Sequence, residues 1–226
     1  KGRNIPPADT ISSCCAYVAM PGRRVYAFGP DAIGCLNMSE RVLRSVLYMP
    51  GANQRAMDKA RTLPCDAVVF DLEDAVAPDM KETARAQILA QLEAGGYGAR
   101  QLVVRANSID SPWGEIDLKA LGKAGVATIC LPKIDSAVQL QRCVDLLRTS
   151  GAPKNLRVWA MIETPLGVAN AEEICGAGEA LQAILMGTTD LAHQLRTREP
   201  EGRPIEGAKG APLRAKGKPI ESPKGC

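Results

Sequence analysis

Histidine, aromatic residues and long apolar runs are scarce in this chain, and each scarcity excludes a class of function. The one histidine, His193, rules out a multi-histidine metal site. A Ser–His–Asp arrangement could use only that residue, and no GxSxG elbow accompanies it. Aromatics make up 4% of the sequence, too few for nucleic-acid stacking platforms. No uninterrupted apolar run approaches the ~20 residues of a membrane span. Neither GxGxxG after a strand nor GxxxxGK[ST] is present, so both nucleotide fingerprints are missing. The eight cysteines (Cys14, Cys15, Cys35, Cys65, Cys130, Cys143, Cys175 and Cys226) form no CxxC pair and lack histidine partners at zinc spacing. Cys130 lies inside an apolar run and reads as a small buried hydrophobe. This usage fits a reduced compartment, and a cytoplasmic location is expected.

Charge is balanced over most of the chain. Seven Lys/Arg and four Asp/Glu lie between Thr197 and Cys226, which leaves 21 of each sign in the rest and puts the whole +3 excess in the C-terminal segment. A neutral body argues against a nucleic-acid face. That segment also has five Pro and five Gly and almost no large apolar residue. It cannot bury enough surface to offset its ordering entropy, so residues 197–226 are expected to form a disordered tail. Residues 1–40 show no clear period and carry frequent Gly, Pro and Ser. They read as an irregular lead-in. Arg3, Arg23 and Arg24 would suit a targeting peptide, against which Asp9, Asp31 and Glu40 count.

What the chain does have, between residues 41 and 196, is six short apolar runs that each break off into polar or charged residues. They are SVLYMPG (45–51), AVVFDLED (67–74), LVVRAN (102–107), ATICLPKI (127–134), VWAMIETP (158–165) and AILMGTTDL (183–191). Short runs without alternation are the pattern of strands covered on both faces. Helices are expected between them, over 53–62, 80–94, 115–124, 136–150 and 167–176, with a short one over 192–196. Gly95 to Gly98 closes the second helix, and Ser136 suits an N-cap. A repeating βα unit predicts a parallel sheet with right-handed crossovers. Tyr48, Asp71, Glu73, Asp74, Arg105, Lys133, Glu163 and Asp190 follow the apolar runs. Functional groups at the carboxyl ends of parallel strands mark an α/β barrel or an open α/β sheet. With histidine and thiolate sites excluded, carboxylates and a few cations remain, and strand-end carboxylates suit Mg²⁺ or Mn²⁺.

Six segments, in order, resemble one family: LYMPG (47–51), DLEDAV (71–76), VRAN (104–107), LPK (131–133), IETP (162–165) and MGTTDL (186–191). Together they look like the CitE-like group of the HpcH/HpaI aldolase superfamily, which holds citrate lyase beta subunits and malyl-CoA and citramalyl-CoA lyases. The resemblance covers about residues 42–196. It implies a TIM-barrel fold of (β/α)₈ type and a Mg²⁺-dependent carbon–carbon lyase. Such an enzyme cleaves a 3-hydroxyacyl-CoA into an acyl-CoA and a keto acid or aldehyde. It also implies a homo-oligomer, a trimer in the family.

Family roles transfer by position. Glu163 and Asp190 match the carboxylates that bind Mg²⁺; a helix cap or surface charge is the structural alternative for each. Arg105 matches the substrate-binding arginine, and its fixed fork suits a carboxylate or a developing enolate oxygen. It could also pair with the acids at 71–74, and both roles could hold together. Tyr48, Arg55 and Lys59 match positions that contact substrate and CoA. Arg55 and Lys59 lie four apart on one helical face, which suits a phosphate chain or a plain solvated surface. Asp71, Glu73 and Asp74 would hold water ligands of the metal, or Arg105. Lys133 reads as structural or catalytic, His193 as a helix-surface residue.

Two departures from the family pattern matter. The usual Asn before the second metal carboxylate is Thr189 here. The seventh and eighth strands have no counterpart, nor has the C-terminal segment that lends an acidic residue to a neighbouring subunit. The sequence therefore reads as a barrel incomplete after six βα units. An alternative follows: an impaired remnant of such a lyase, acting as a binding or assembly partner.

Overall fold

Residues 43–196 are described by the structure, a computed structural model. The expected lead-in and tail lie outside the described residues. Six parallel strands form one sheet in sequence order: β1 (Val46–Pro50), β2 (Ala67–Asp71), β3 (Gln101–Arg105), β4 (Thr128–Leu131), β5 (Arg157–Ile162) and β6 (Leu181–Met186). Sequential order with every pair parallel requires each strand to be followed by a crossover, as in a barrel wall. The crossovers carry helices α1 (Gln54–Ala60), α2 (Lys81–Ala94), α3 (Gly114–Lys123), α4 (Ala137–Thr149), α5 (Pro165–Ala169) and α6 (Ala171–Cys175). A last helix, α7 (Thr188–Gln194), follows β6.

Local chemistry sets the boundaries. Asn53 and Ser136 cap α1 and α4 by accepting the N–H of Ala56 and Gln139. Gly95 stops α2 at φ +63, where a side chain would be strained. Two expectations shift. The single helix expected over 167–176 is split, because Asn170 leaves helical geometry (φ −96, ψ 10) and donates its side-chain amide to Asp135 O. The sixth run ends as strand at Met186, and the helix expected at 192–196 starts already at Thr188. The apolar spacing fades at Gly187, and an acid in a first helical turn is favoured by the helix dipole.

Residues along the strands alternate between two cores. Val68, Phe70, Val104, Ile129, Leu131, Val158, Ala160, Ile162 and Ile184 face the helices and join Met57, Ile88, Leu118, Leu121, Leu140 and Leu147 in the larger core. Ala67, Val69, Val103, Cys130, Trp159, Met161, Ala183 and Leu185 face the other way and form a smaller interior cluster. Both faces of β2 are therefore buried, which explains its unbroken apolar sequence. Burial pushes the thiol pKa of Cys130 up, as expected for an inert core cysteine.

Candidate active site

The site is the interior row continued one step beyond its apolar residues. Strand alternation puts Asp71 after Val69, Arg105 after Val103 and Glu163 after Met161 on the same face; Tyr48 packs against that interior cluster too. Asp71 and Arg105 are cross-strand partners in the β2–β3 register. Arg105 donates from Nε to Asp71 Oδ1 at 2.7 Å and from Nη2 to Oδ2 at 2.6 Å, a two-pronged pairing. Its Nη1 donates to Asp74 Oδ2 at 3.2 Å and lies 3.1 Å from Glu73 Oε2. The guanidinium lies over the Tyr48 ring, 5.6 Å from its centroid. Burial alone would lower the pKa of Arg105, but the hydrogen bonds and charge of Asp71, then Glu73 and Asp74, hold it above its ordinary value.

Glu163 anchors the other side. It is 3% exposed, and its Oε1 accepts the backbone N–H of Lys133 at 3.1 Å. Lys133 has φ +53, the left-handed region that few non-glycine residues adopt. Its ammonium reaches Glu73 Oε1 at 2.9 Å and Asp190 Oδ2 at 3.5 Å. Burial lowers its pKa, but the bond to Glu73 and the surrounding acids outweigh that and keep it raised. Burial, then the charge of Glu73, pushes Glu163 up to about 7, against the opposing pull of the Lys133 amide and Arg105. Glu73 is likewise raised, by burial first, although Arg105 and Lys133 oppose this. Its Oε2 lies within ion-pair reach of Arg105 yet accepts no well-aligned hydrogen bond.

Asp190 does not end a strand, as the sequence suggested; it lies in the first turn of α7, 37% exposed at its side chain. Gly187 joins the two elements. A Cβ there would lie 2.4 Å from Glu163 Cγ and 2.8 Å from Oε2, so only glycine lets this backbone rest on the carboxylate.

The remaining expectations divide. Arg105 pairs with Asp71, Glu73 and Asp74, the alternative kept open for it. Arg55 and Lys59 are exposed on α1. His193 and Thr189 are exposed on α7. Four polar residues went unremarked in the sequence: Lys81, Arg85, Asn107 and Asp117. Asn107 stood inside a quoted segment; the others looked like ordinary helix charges.

A cation fits here by charge. Five carboxylates (Asp71, Glu73, Asp74, Glu163, Asp190) surround two cations, Arg105 and Lys133, and a third, Lys81, is bonded to the backbone of Glu73; with all ionised the formal charge is −2. Glu163 accepts one hydrogen bond, through Oε1, so Oε2 is left for a ligand. No group of three or more His, Cys, Asp or Glu is arranged around a metal position among the described residues. With so few protein oxygens free, the charge fits an ion that completes its shell with water and substrate oxygens, as Mg²⁺ commonly does.

Comparison with known proteins places the chain in a family. Residues 44–211 match the HpcH/HpaI aldolase/citrate lyase family, so the likeness continues past residue 196. A (3S)-malyl-CoA thioesterase of Cereibacter sphaeroides is 44% identical over 155 residues, covering 69% of this chain and 52% of the relative. Citrate lyase subunit beta of Escherichia coli is 39% identical over 181 residues, covering 77% and 60%. The chain thus spans about half to three fifths of the length of these relatives. The citrate lyase beta subunit of Mycobacterium tuberculosis complexed with oxaloacetate and magnesium superposes with a TM-score of 0.56 at 29% identity, covering 74% of this chain and 66% of that one. CitE of the same organism, in complex with magnesium, acetoacetate and coenzyme A, gives 0.56 at 28% identity, covering 75% and 55%. No helix among the described residues is long and apolar enough to cross a membrane. The family match takes in all six strands and every acid of the site, and the chain belongs to the HpcH/HpaI aldolase/citrate lyase family.

Proposed function

We propose that the chain carries the site of a Mg²⁺-dependent carbon–carbon lyase, acting on a 3-hydroxyacyl-CoA of the citryl-, malyl- or citramalyl-CoA type. The observation that carries this reading is the buried Glu163 carboxylate, with one oxygen free, the backbone of Gly187 against it, and Asp190 one turn beyond. Glu163 and Asp190 would hold the ion. When bound, it withdraws electrons from a substrate carbonyl oxygen and favours negative charge there.

The chain's own groups do the rest. Cleavage breaks the bond between the carbon next to the thioester and the carbinol carbon. The bonding pair stays on the acyl-CoA side as an enolate, the carbinol hydroxyl gives its proton to solvent as its carbon becomes the carbonyl of a keto acid or aldehyde, and a proton from solvent then adds to the enolate carbon to complete the acyl-CoA. Arg105 and Lys133 are fixed cations at the mouth of the strands, held in place by Asp71 and Glu73. Their orientation does not have to change as charge develops, which is the condition for strong electrostatic stabilisation. Tyr48 packs beside Arg105 at the edge of the same site. Arg55 and Lys59, exposed on α1, suit the phosphates of CoA. This reading includes a cytoplasmic location and a homo-oligomer.

The malyl-CoA thioesterase relative favours a second reading, hydrolysis of the thioester on the same metal site. The products separate the two. Incubation of purified protein with malyl-, citramalyl- and citryl-CoA, with Mg²⁺ or with EDTA, should yield acyl-CoA plus keto acid only when Mg²⁺ is present. Free CoA and intact hydroxy acid would replace the lyase reading with the thioesterase one. Acyl-CoA binding without turnover would leave the impaired-remnant reading.

A further inference from the structure

Lys81 is a buried cation that the chemistry above does not use. It opens α2, is 6% exposed, and places its ammonium 2.7 Å from each of three acceptors: Leu72 O, Glu73 O and Asn107 Oδ1. All three of its donors are thereby satisfied. The ring of Trp113 covers it at 5.2 Å. Every acceptor is neutral, so the charge is not offset by a contacting carboxylate. An apolar side chain of the same length would leave those three acceptors without this donor, so the ammonium is the group that ties them together.

What the ammonium does is geometric. Leu72 and Glu73 form the turn that leaves β2, and Asn107 follows β3. Asn107 is fixed in turn by Asp117 of α3, which accepts its backbone N–H at 3.0 Å and its side-chain amide at 2.6 Å. Asp117 is 0% exposed and also accepts Arg85 Nε of α2 at 2.7 Å. The links close a circuit from α2 through the β2 turn and the end of β3 to α3 and back to α2. The one member of that turn whose side chain enters the candidate site between two cations is Glu73, with Oε1 on Lys133 and Oε2 beside Arg105.

We propose that Lys81 is a positioning residue that acts through Glu73: it pins the Leu72–Glu73 backbone so that the Glu73 carboxylate spans Lys133 and Arg105. Lys133, so held, shares Asp190 without covering it, at 3.5 Å. Without the pin, Glu73 swings away and the Lys133 ammonium is left to pair with Asp190, in competition with a metal ion. This inference rests on Glu163 and Asp190 being the Mg²⁺ ligands.

A double-mutant cycle between Lys81→Met and Glu73→Gln tests it, read as the Mg²⁺ dissociation constant by calorimetry on the full chain, which needs no turnover. Lys81→Met should weaken Mg²⁺ binding about ten-fold, the lower range for loss of an outer partner of a metal site. Added to Glu73→Gln it should change the constant less than about two-fold, because contacts acting in series are not additive. Should Lys81→Met fail to fold, Asn107→Ala, which removes one acceptor of the ammonium, goes through the same cycle with the same expectation. Additive losses, or a Lys81 variant that binds Mg²⁺ like the parent, overturn the inference while leaving the metal assignment intact. A parent protein that binds no Mg²⁺ overturns the metal assignment and this inference with it.

Discussion

The two sides of the site share a sheet face but differ in how their charge is settled. On the β2–β3 side, Arg105 and Asp71 answer each other with two hydrogen bonds, and Asp71 also accepts the backbone N–H groups of Glu73 and Ala75. On the β5–β6 side, Glu163 holds one backbone N–H, and Asp190 has one distant ammonium. A saturated pair is rigid and hard to remove; an under-supplied pair of acids is a place for an exchangeable cation. The contrast separates a frame at the ends of β2 and β3 from the proposed binding position at the end of β5 and the start of α7.

The largest effect should come from breaking the frame. Arg105→Met leaves the buried Asp71 carboxylate without its cation, and loss of one member of a buried pair typically costs 3–5 kcal/mol. Chemical denaturation of the full chain should show that loss, and substrate turnover should vanish with it. A variant as stable as the parent would show that Asp71 is satisfied by its backbone donors alone.

Glu163→Gln should leave the frame intact and act on the open side. Mg²⁺ binding should weaken at least about ten-fold, by analogy with losses at outer partners; unchanged binding by calorimetry would remove the ligand assignment. The pH response should change as well. Glu163 titrates at about 7 in the folded protein against an ordinary 4.5. Its contribution to stability is therefore full below about 4.5 and is lost as pH rises through about 7, a difference on the order of 3 kcal/mol. Without divalent metal, the parent should lose stability across that window relative to Glu163→Gln. Mg²⁺ should reverse the loss by binding the ionised form. Parallel stability–pH curves for the two proteins would contradict this.

These contrasts also mark what the sequence could carry. Six apolar runs with charged ends were enough to place the strands, because strands buried on both faces have little freedom of composition. They also put Asp71, Arg105 and Glu163 at strand ends; the interior face that these three share came only with the structure, from alternation along each strand. Asp190 was misplaced onto a strand because the sixth run was read through to Leu191, whereas β6 ends at Met186 and α7 begins at Thr188, just past Gly187. The left-handed Lys133 and the buried Lys81 were illegible for another reason. A lysine is compatible with solvent, with an ion pair or with three carbonyls, and only the assembled loops decide which.

Gly187→Ala gives a smaller effect that tests how closely the open side is built. The added methyl would meet Glu163 Cγ at 2.4 Å and Oε2 at 2.8 Å, so either the backbone or the carboxylate must move. Overpacking of this kind costs about 1–3 kcal/mol. If the carboxylate moves, Mg²⁺ binding weakens while the melting temperature changes little; if the backbone moves, both fall. An alanine variant with parental stability and Mg²⁺ affinity would show that the close approach has no function.

The smallest effect should come from the exposed surface of α1. Arg55 and Lys59 are exposed there, one turn apart, on the helix that follows β1. Removing both as Arg55→Ala/Lys59→Ala takes away no buried contact, and stability should stay within about 0.5 kcal/mol, as for most surface substitutions. If they meet the phosphates of CoA, KM for an acyl-CoA should rise a few-fold with kcat unchanged, because binding that is equal in ground and transition state leaves kcat alone. The increase should shrink as salt is added, since exposed charges about a Debye length apart, about 8–10 Å at 0.10–0.15 M, are screened. A KM that ignores both the substitutions and the salt would make this face an ordinary solvated helix surface, and the CoA phosphates would have to find their cations elsewhere.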